Sequence, residues 1–197
     1  MRIAALILAG GRGSRLGASV PKPLVALRGR MLLDHVLDAI PAGVRPTLLN
    51  AGEGTGFEPF GLPLVPDARP GFPGPLAGIE AAARSGLLEA ADATHLLVLP
   101  GDTPFLSSAV LRPLLEAPGG LPRVARHAGR LQPAVALWPV ESLAGLSAFL
   151  DAPEKHAIRL YLDRTGFEAV EIEGDDPFFN VNTPADLADA ERRLASG

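Results

Sequence analysis

The chain contains no cysteine. Disulfides, thiolate metal sites, iron–sulfur clusters and a cysteine nucleophile are therefore excluded. Aromatic residues make up only 5% of the sequence, too few for a long surface on which single-stranded nucleic acid could stack. Net charge is −4, so the basic excess typical of nucleic-acid binders is missing as well. Lysine is scarce: Lys22 and Lys155 stand beside sixteen arginines. Long apolar runs are also absent. The stretch Ile3–Leu8 is too short to span a bilayer. Glycines and arginines follow it, not the extended apolar region and small-residue cleavage site of a signal peptide. These absences predict a cytoplasmic protein with no membrane segment and no nucleic-acid partner.

What is present is an ordinary globular composition, 47% hydrophobic and 20% charged over 197 residues. That length suits one domain, residues 1–197, with a sizeable core. Twenty-two glycines and twenty prolines imply many shaped loops. Ile3–Leu8 reads as a strand buried on both faces. Residues 31–40 carry Leu32, Leu33, Val36, Leu37 and Ile40 at helical spacing, with Pro41 beyond. Short strands are expected at 47–50 and 64–66, and a helix at 75–86 with Pro75 in its first turn. Residues 95–99 form another buried strand, and 107–116 a helix capped by Ser107. Residues 123–126 and 134–138 can pair antiparallel around a turn near Gly129. Helices are expected at 140–150 and 158–164, a late strand at 169–172, and a last helix at 183–194 opened by Thr183 and Pro184. Alternating strands and helices predict an α/β fold with a mostly parallel sheet covered on both faces. Ligands then bind beyond the carboxyl ends of the strands, which directs attention to the loops after Leu8, Asn50, Pro66 and Leu99.

The first of these loops reads Leu8-Ala9-Gly10-Gly11-Arg12-Gly13-Ser14-Arg15-Leu16-Gly17 and continues to Pro21-Lys22. Glycines let backbone N–H groups converge on an anion, and Arg12, Arg15 and Lys22 add positive charge. A Walker A loop is excluded, because no Gly-Lys-Ser or Gly-Lys-Thr occurs. A dinucleotide-binding loop is disfavoured, because the glycine spacing is wrong and the second strand ends in Asn50 rather than an acidic residue. What remains is a phosphate cradle of another type.

The strand at 95–99 runs into Pro100-Gly101-Asp102-Thr103-Pro104. An aspartate there faces the ligand crevice. One carboxylate with phosphate oxygens and waters is a usual way to hold Mg2+. The same four residues from Gly101 to Pro104 also suit a plain turn. Paired with the glycine loop, the metal reading of Asp102 is preferred. The four histidines show no metal-ligand spacing, and neither a GxSxG elbow nor an HExxH motif occurs.

The loop from Leu8 to Gly17, with Pro21-Lys22 and Gly101-Asp102-Thr103-Pro104-Phe105-Leu106, resembles the signature of nucleotidyltransferases with the nucleotide-diphospho-sugar transferase fold. The resemblance implies a three-layer Rossmann-like fold with a mostly parallel central sheet and a small antiparallel element. Further segments are Val65-Pro66-Asp67, Gly74-Pro75-Leu76-Ala77-Gly78, Gln132-Pro133-Ala134 and Asn180-Val181-Asn182-Thr183-Pro184. Together they are similar to the molybdenum cofactor guanylyltransferase family, over nearly the whole chain and in order. The family attaches GMP from GTP to molybdopterin. Carried over, Leu8, Ala9, Gly10, Gly11, Lys22, Asn50, Asp67, Gly78 and Asp102 would form the nucleotide site. Asp102 would hold Mg2+, and Asn180 and Asn182 would face the acceptor. Amides suit a pterin edge because they both donate and accept hydrogen bonds. The implied partners are GTP, molybdopterin, and proteins that supply or receive the cofactor.

The implied chemistry is in-line attack by an acceptor phosphate oxygen on the α-phosphorus, with Lys22, Arg15 and Asp102 as the catalytic set. One departure stands out. Pro21-Lys22 replaces the family's usual Asp-Lys, and Pro-Lys is typical of sugar-phosphate and cytidylyl transferases. A sugar-phosphate acceptor, CTP as donor, and an accessory protein that binds NTP without catalysis therefore stay open.

Overall fold

The computed structural model describes residues 1–10, 20–52, 55–69, 74–153 and 156–196. In chain order the elements are β1 (Ile3–Leu8), β2 (Ala26–Leu27), β3 (Arg30–Met31), α1 (Leu32–Ala39), β4 (Val44–Asn50), α2 (Pro75–Arg84), α3 (Leu87–Ala90), β5 (His95–Pro100) and α4 (Ser108–Leu115). They continue with β6 (Arg123–His127), β7 (Arg130–Pro139), α5 (Leu146–Asp151), α6 (Ile158–Thr165), β8 (Glu168–Glu171) and α7 (Pro184–Ser196). A six-stranded sheet has the order β4-β1-β5-β7-β6-β8, and β2 and β3 form a separate antiparallel pair. β4, β1 and β5 are parallel, β7 runs against both β5 and β6, and β8 is parallel to β6. This is the expected α/β architecture.

The continuous apolar character of β1 has a direct cause. Ile3, Ala5 and Ile7 enter one core together with Leu33 and Val36 of α1 and Leu111 and Leu114 of α4. Ala4 and Leu6 enter the other, with Leu76 and Ile79 of α2, Phe149 of α5 and Tyr161 of α6. β5 divides its residues in the same way, so neither strand has a solvent face. A third, smaller cluster joins Leu27, Leu32 and Val181 to Ala190 of α7.

Caps follow the sequence signals. The Ser107 hydroxyl accepts from the Val110 N–H at the start of α4. At α7 the Thr183 hydroxyl accepts from Asp186 N–H, while the Asp186 carboxylate accepts from the N–H groups of Asn182 and Thr183. This is a reciprocal capping box.

Four expectations are corrected. The strand at 64–66 shrinks to one bridge, Leu49 to Leu64, because the flanking Pro63 and Pro66 bring no N–H to a ladder. The helix expected over 75–86 stops at Arg84, and Gly86, at φ 75°, turns the chain into α3. The helix expected over 140–150 splits into a 3-10 turn, Val140–Leu143, and α5, with Gly145 between them. Met31 belongs to β3 rather than to α1, paired with Ala26.

Candidate active site

The site lies where the three parallel strands end. Leu8 is level with Asn50 on one side and Pro100 on the other. Beyond the sheet, Ala9 N–H donates to the Asn50 carbonyl (3.2 Å) and Gly101 N–H donates to the Leu8 carbonyl (3.0 Å), so all three loops leave one rim. Gly101 permits the next contact. A Cβ there would lie 3.0 Å from Pro23 Cγ and 3.2 Å from the Leu8 carbonyl oxygen. The 3-10 turn Lys22–Leu24, started by Pro21 with Pro23 inside it, therefore packs close over the rim.

That turn delivers Lys22 to Asp102. Lys22 Nζ donates to Asp102 Oδ2 at 2.7 Å and to Asn182 Oδ1 at 2.6 Å. The two charged side chains are 17% and 19% exposed, a pairing sheltered from bulk water. The segment with Asn180 and Asn182 is brought in by backbone, through Val181 N–H to the Asp102 carbonyl (3.0 Å). The buried Thr103 hydroxyl donates to Asn180 Oδ1 at 2.9 Å. The Asp186 carboxyl is held below the usual carboxylate range, chiefly by the Asn182 N–H. Thr183 and the Lys22 charge add to this, and burial opposes it.

Two cavities flank Asp102. One, of ≈ 250 Å³, is lined by Leu8, Gly10, Lys22, Asn50, Asp67 and Asp102, with Pro23, Gly74, Pro75, Pro100 and Ala134. The other, of ≈ 290 Å³, is lined by Asp102, Thr103, Gln132, Phe178, Asn180 and Asn182, with Pro100, Pro133, Ala134 and Val135. They share Pro100, Asp102 and Ala134. In the first, Asn50 Nδ2 donates to the Val65 carbonyl and to Asp67 Oδ1, each at 2.9 Å.

Residues 5–166 match the family model for the MobA-like NTP transferase domain. The chain belongs to this family. It is 40% identical to the molybdenum cofactor guanylyltransferase of Rhizobium meliloti (strain 1021), over 96% of the chain and 91% of that protein. Identity to the molybdenum cofactor guanylyltransferase of Acidiphilium cryptum (strain JF-5) is 41%, over 95% of the chain and 93% of that protein. The fold superposes on the crystal structure of molybdopterin-guanine dinucleotide biosynthesis protein A from Archaeoglobus fulgidus with a TM-score of 0.77, at 25% identity, covering 99% of this chain and 100% of that one. As a MobA-like NTP transferase, the chain is a nucleotidyltransferase.

Most residues expected in the nucleotide and acceptor sites of this MobA-like chain converge. Leu8, Gly10, Lys22, Asn50, Asp67 and Asp102 line the first cavity, and Asn180 and Asn182 line the second. Ala9 and Gly78 have packing roles as well. Ala9 turns its methyl into the core and gives its N–H to the Asn50 carbonyl, so it helps to fix the rim. Gly78 sits in α2 behind Asn50. A Cβ at this position would stand 2.2 Å from Asn50 Oδ1, so the glycine makes room for the amide. Gly11 and Arg15, with the rest of the glycine-rich loop, lie outside the described residues. Among the described residues no group of three or more His, Asp or Glu side chains could hold a metal, and no helix is long and apolar enough to cross a membrane.

Thr103, Gln132 and Phe178 were not expected in the site. Thr103 and Gln132 stand inside the motifs and Phe178 just before one, but alternation along a strand cannot say which residues face a cavity assembled from distant loops. His127 has a structural place, with Nδ1 at 2.9 Å from the Ile172 carbonyl and its ring 5.9 Å from that of Phe178.

Proposed function

We propose that the chain transfers GMP from GTP to molybdopterin, forming the guanine dinucleotide cofactor and releasing pyrophosphate. The observation that carries this reading is the junction of two cavities at Asp102, where Lys22 touches both Asp102 and Asn182. One cavity suits a nucleotide. Asn50 and Asp102 leave the sheet two strand spacings apart, roughly 10 Å, which gives room to lay a nucleotide across the strand ends. The other offers amides, a hydroxyl and the Phe178 ring, which fit a flat, polar-edged acceptor. The names of the relatives favour molybdopterin over a sugar phosphate, although Pro21 precedes Lys22.

In the proposed reaction an acceptor phosphate oxygen attacks the α-phosphorus. The new P–O bond forms as the bond to the β-phosphate oxygen breaks, and pyrophosphate leaves. A phosphate monoester is largely dianionic at neutral pH, with a second pKa of about 6, so no general base is needed. Lys22 offsets charge on the phosphates, and Asn182 holds the ammonium in place between the cavities. Arg15 and the loop at Gly11 are proposed to add to the same cradle.

The donor set fits Mg2+. A single carboxylate is what this ion takes when phosphate oxygens and water complete its shell, in contrast to a dedicated protein cage. Asp102 would hold it, and when bound it would neutralise charge on the α-phosphate and the leaving group. The cytoplasm suits a cysteine-free enzyme of this kind, and residues 1–197 are read as one catalytic domain. Proteins that supply or receive the cofactor would approach the acceptor cavity.

The test is incubation with molybdopterin and GTP or CTP, measuring pyrophosphate and dinucleotide. GTP-dependent formation of the guanine dinucleotide is the expected result. Transfer to sugar phosphates in preference to molybdopterin, or NTP binding with no pyrophosphate release, would overturn the proposal.

A further inference from the structure

Glu80 of α2 is 1% exposed, yet it carries a charge. Its carboxylate is gripped by Arg69 through two parallel hydrogen bonds, Nε to Oε2 at 2.5 Å and Nη2 to Oε1 at 2.8 Å. The same guanidinium donates to the Ser147 carbonyl (3.3 Å) and to Asp151 Oδ1 (2.8 Å), so it bridges α2 and α5. Arg84 Nη1 stands 3.7 Å from Glu80 Oε1. The hydrogen bonds from Arg69 hold the Glu80 carboxyl below its usual range against the effect of burial. Burying an ion pair costs desolvation, and an apolar pair of similar volume is often as stable or more so. Stability alone is thus a weak reason for Arg69 and Glu80 to be charged.

Their position supplies a better one. Arg69 lies two residues after Asp67, which lines the nucleotide cavity. Asp67 is tied from the other side by Asn50 Nδ2, and Asn50 is seated against Gly78 of α2. The segment bearing Asp67 is therefore held at both ends: at its start by Asn50, which packs against Gly78 of α2, and at its end by the ion pair to Glu80 of α2. A two-pronged guanidinium–carboxylate pair fixes direction as well as distance, which a greasy contact does not.

We propose that Arg69 and Glu80 are positioning residues for nucleotide binding: they hold Asp67 at the wall of the nucleotide cavity without touching the ligand. The inference rests on the nucleotidyltransferase reading of that cavity. Its signature is a split between kinetic constants. Arg69→Met and Glu80→Gln raise KM for GTP by about tenfold while kcat stays within about twofold, because Asp67 binds ground state and transition state alike.

The experiment measures both constants for GTP, with melting temperature, in wild type, Arg69→Met, Glu80→Gln, Asp67→Asn and Arg69→Met/Asp67→Asn. Because Arg69 acts through Asp67, the Arg69 substitution should leave KM unchanged once Asp67 is replaced. The apolar pair Arg69→Met/Glu80→Leu covers the case in which single variants unfold. It should restore melting temperature and keep the raised KM. An unchanged KM in the folded Arg69 variant overturns the inference. So does an equal KM rise with and without Asp67, or recovery of KM in step with stability in the apolar pair. Failure of the wild type to transfer GMP at all would instead sink the proposed function.

Discussion

The two cavities that meet at Asp102 are built by different means. The proposed nucleotide side is made largely by backbone and by close packing. Leu8, Asn50 and Pro100 are level at the ends of parallel strands; one added carbon at Gly78 would collide with Asn50, and one at Gly101 would crowd Pro23 and the rim. The proposed acceptor side is made by side-chain chemistry. Asn180, Asn182 and Gln132 come from a segment between β8 and α7 and from the antiparallel strand β7, and hydrogen bonds to Thr103, Lys22 and Asp186 secure that segment. Close packing at glycines shapes the first half, alongside the Asn50–Asp67 and Arg69–Glu80 hydrogen bonds, and polar complementarity shapes the second. Substitutions should accordingly damage the two halves in different ways.

The largest effect is expected where the halves join. Lys22→Ala and Asp102→Ala should each lower turnover by about 10²- to 10³-fold, the scale of losing one preorganised electrostatic group. Pyrophosphate release measures it, with circular dichroism to show that the fold persists. Near-normal release from both variants would remove the junction from the chemistry.

Next comes Gly78→Ala, the sharpest probe of the steric half. Overpacking of this kind costs about 1–3 kcal/mol, and the displaced Asn50 amide should carry Asp67 with it. Denaturant unfolding should show the loss, and KM should rise for GTP but not for the acceptor. A variant as stable as wild type, with unchanged KM, contradicts the packing argument.

On the polar side, Asn180→Ala strips the buried Thr103 hydroxyl of its acceptor, at a cost of about 1–3 kcal/mol. Steady-state kinetics should show KM rising for the acceptor and holding for GTP. If the GTP constant moved instead, the division between the halves would be wrong.

The smallest effect concerns acid. Asp186 has a depressed carboxyl pKa in the folded protein, so its stabilising contribution is present above the unfolded value, near 3.9, and is lost as pH falls through the folded value. Melting curves of wild type and Asp186→Asn should differ by a constant amount near neutrality and converge on acidification below about pH 4. A gap that widened in acid would reverse the sign of this linkage.

Elements announced by a local run or turn signal were far more legible in the sequence than those that depend on distant partners. Runs such as Ile3–Leu8 announce a strand buried on both faces, and the turn at Gly129 follows from composition. The split at Gly145 and the collapse of the strand at 64–66 were hidden, since both depend on which backbone groups find partners in space. The site shows the same contrast. Lys22, Asn50 and Asp102 stand at strand ends or in the glycine-rich stretch, where position alone suggests a role. Thr103 gains its role from Asn180, at a sequence separation of 77, and Gln132 from the distant loops that close the same cavity. Ala9 and Gly78 carry motif signals, but a motif does not show that one binds backbone and the other leaves space for Asn50.

Pro100, Asp102 and Ala134 border both cavities, so in the proposed reaction donor and recipient would share a single party wall. Nothing has to be carried across the protein between a loading step and an unloading step, and no side chain need be charged with the nucleotidyl group on the way. Initial rates at several fixed levels of each substrate should therefore give intersecting, not parallel, reciprocal plots, and GTP alone should yield no burst of pyrophosphate.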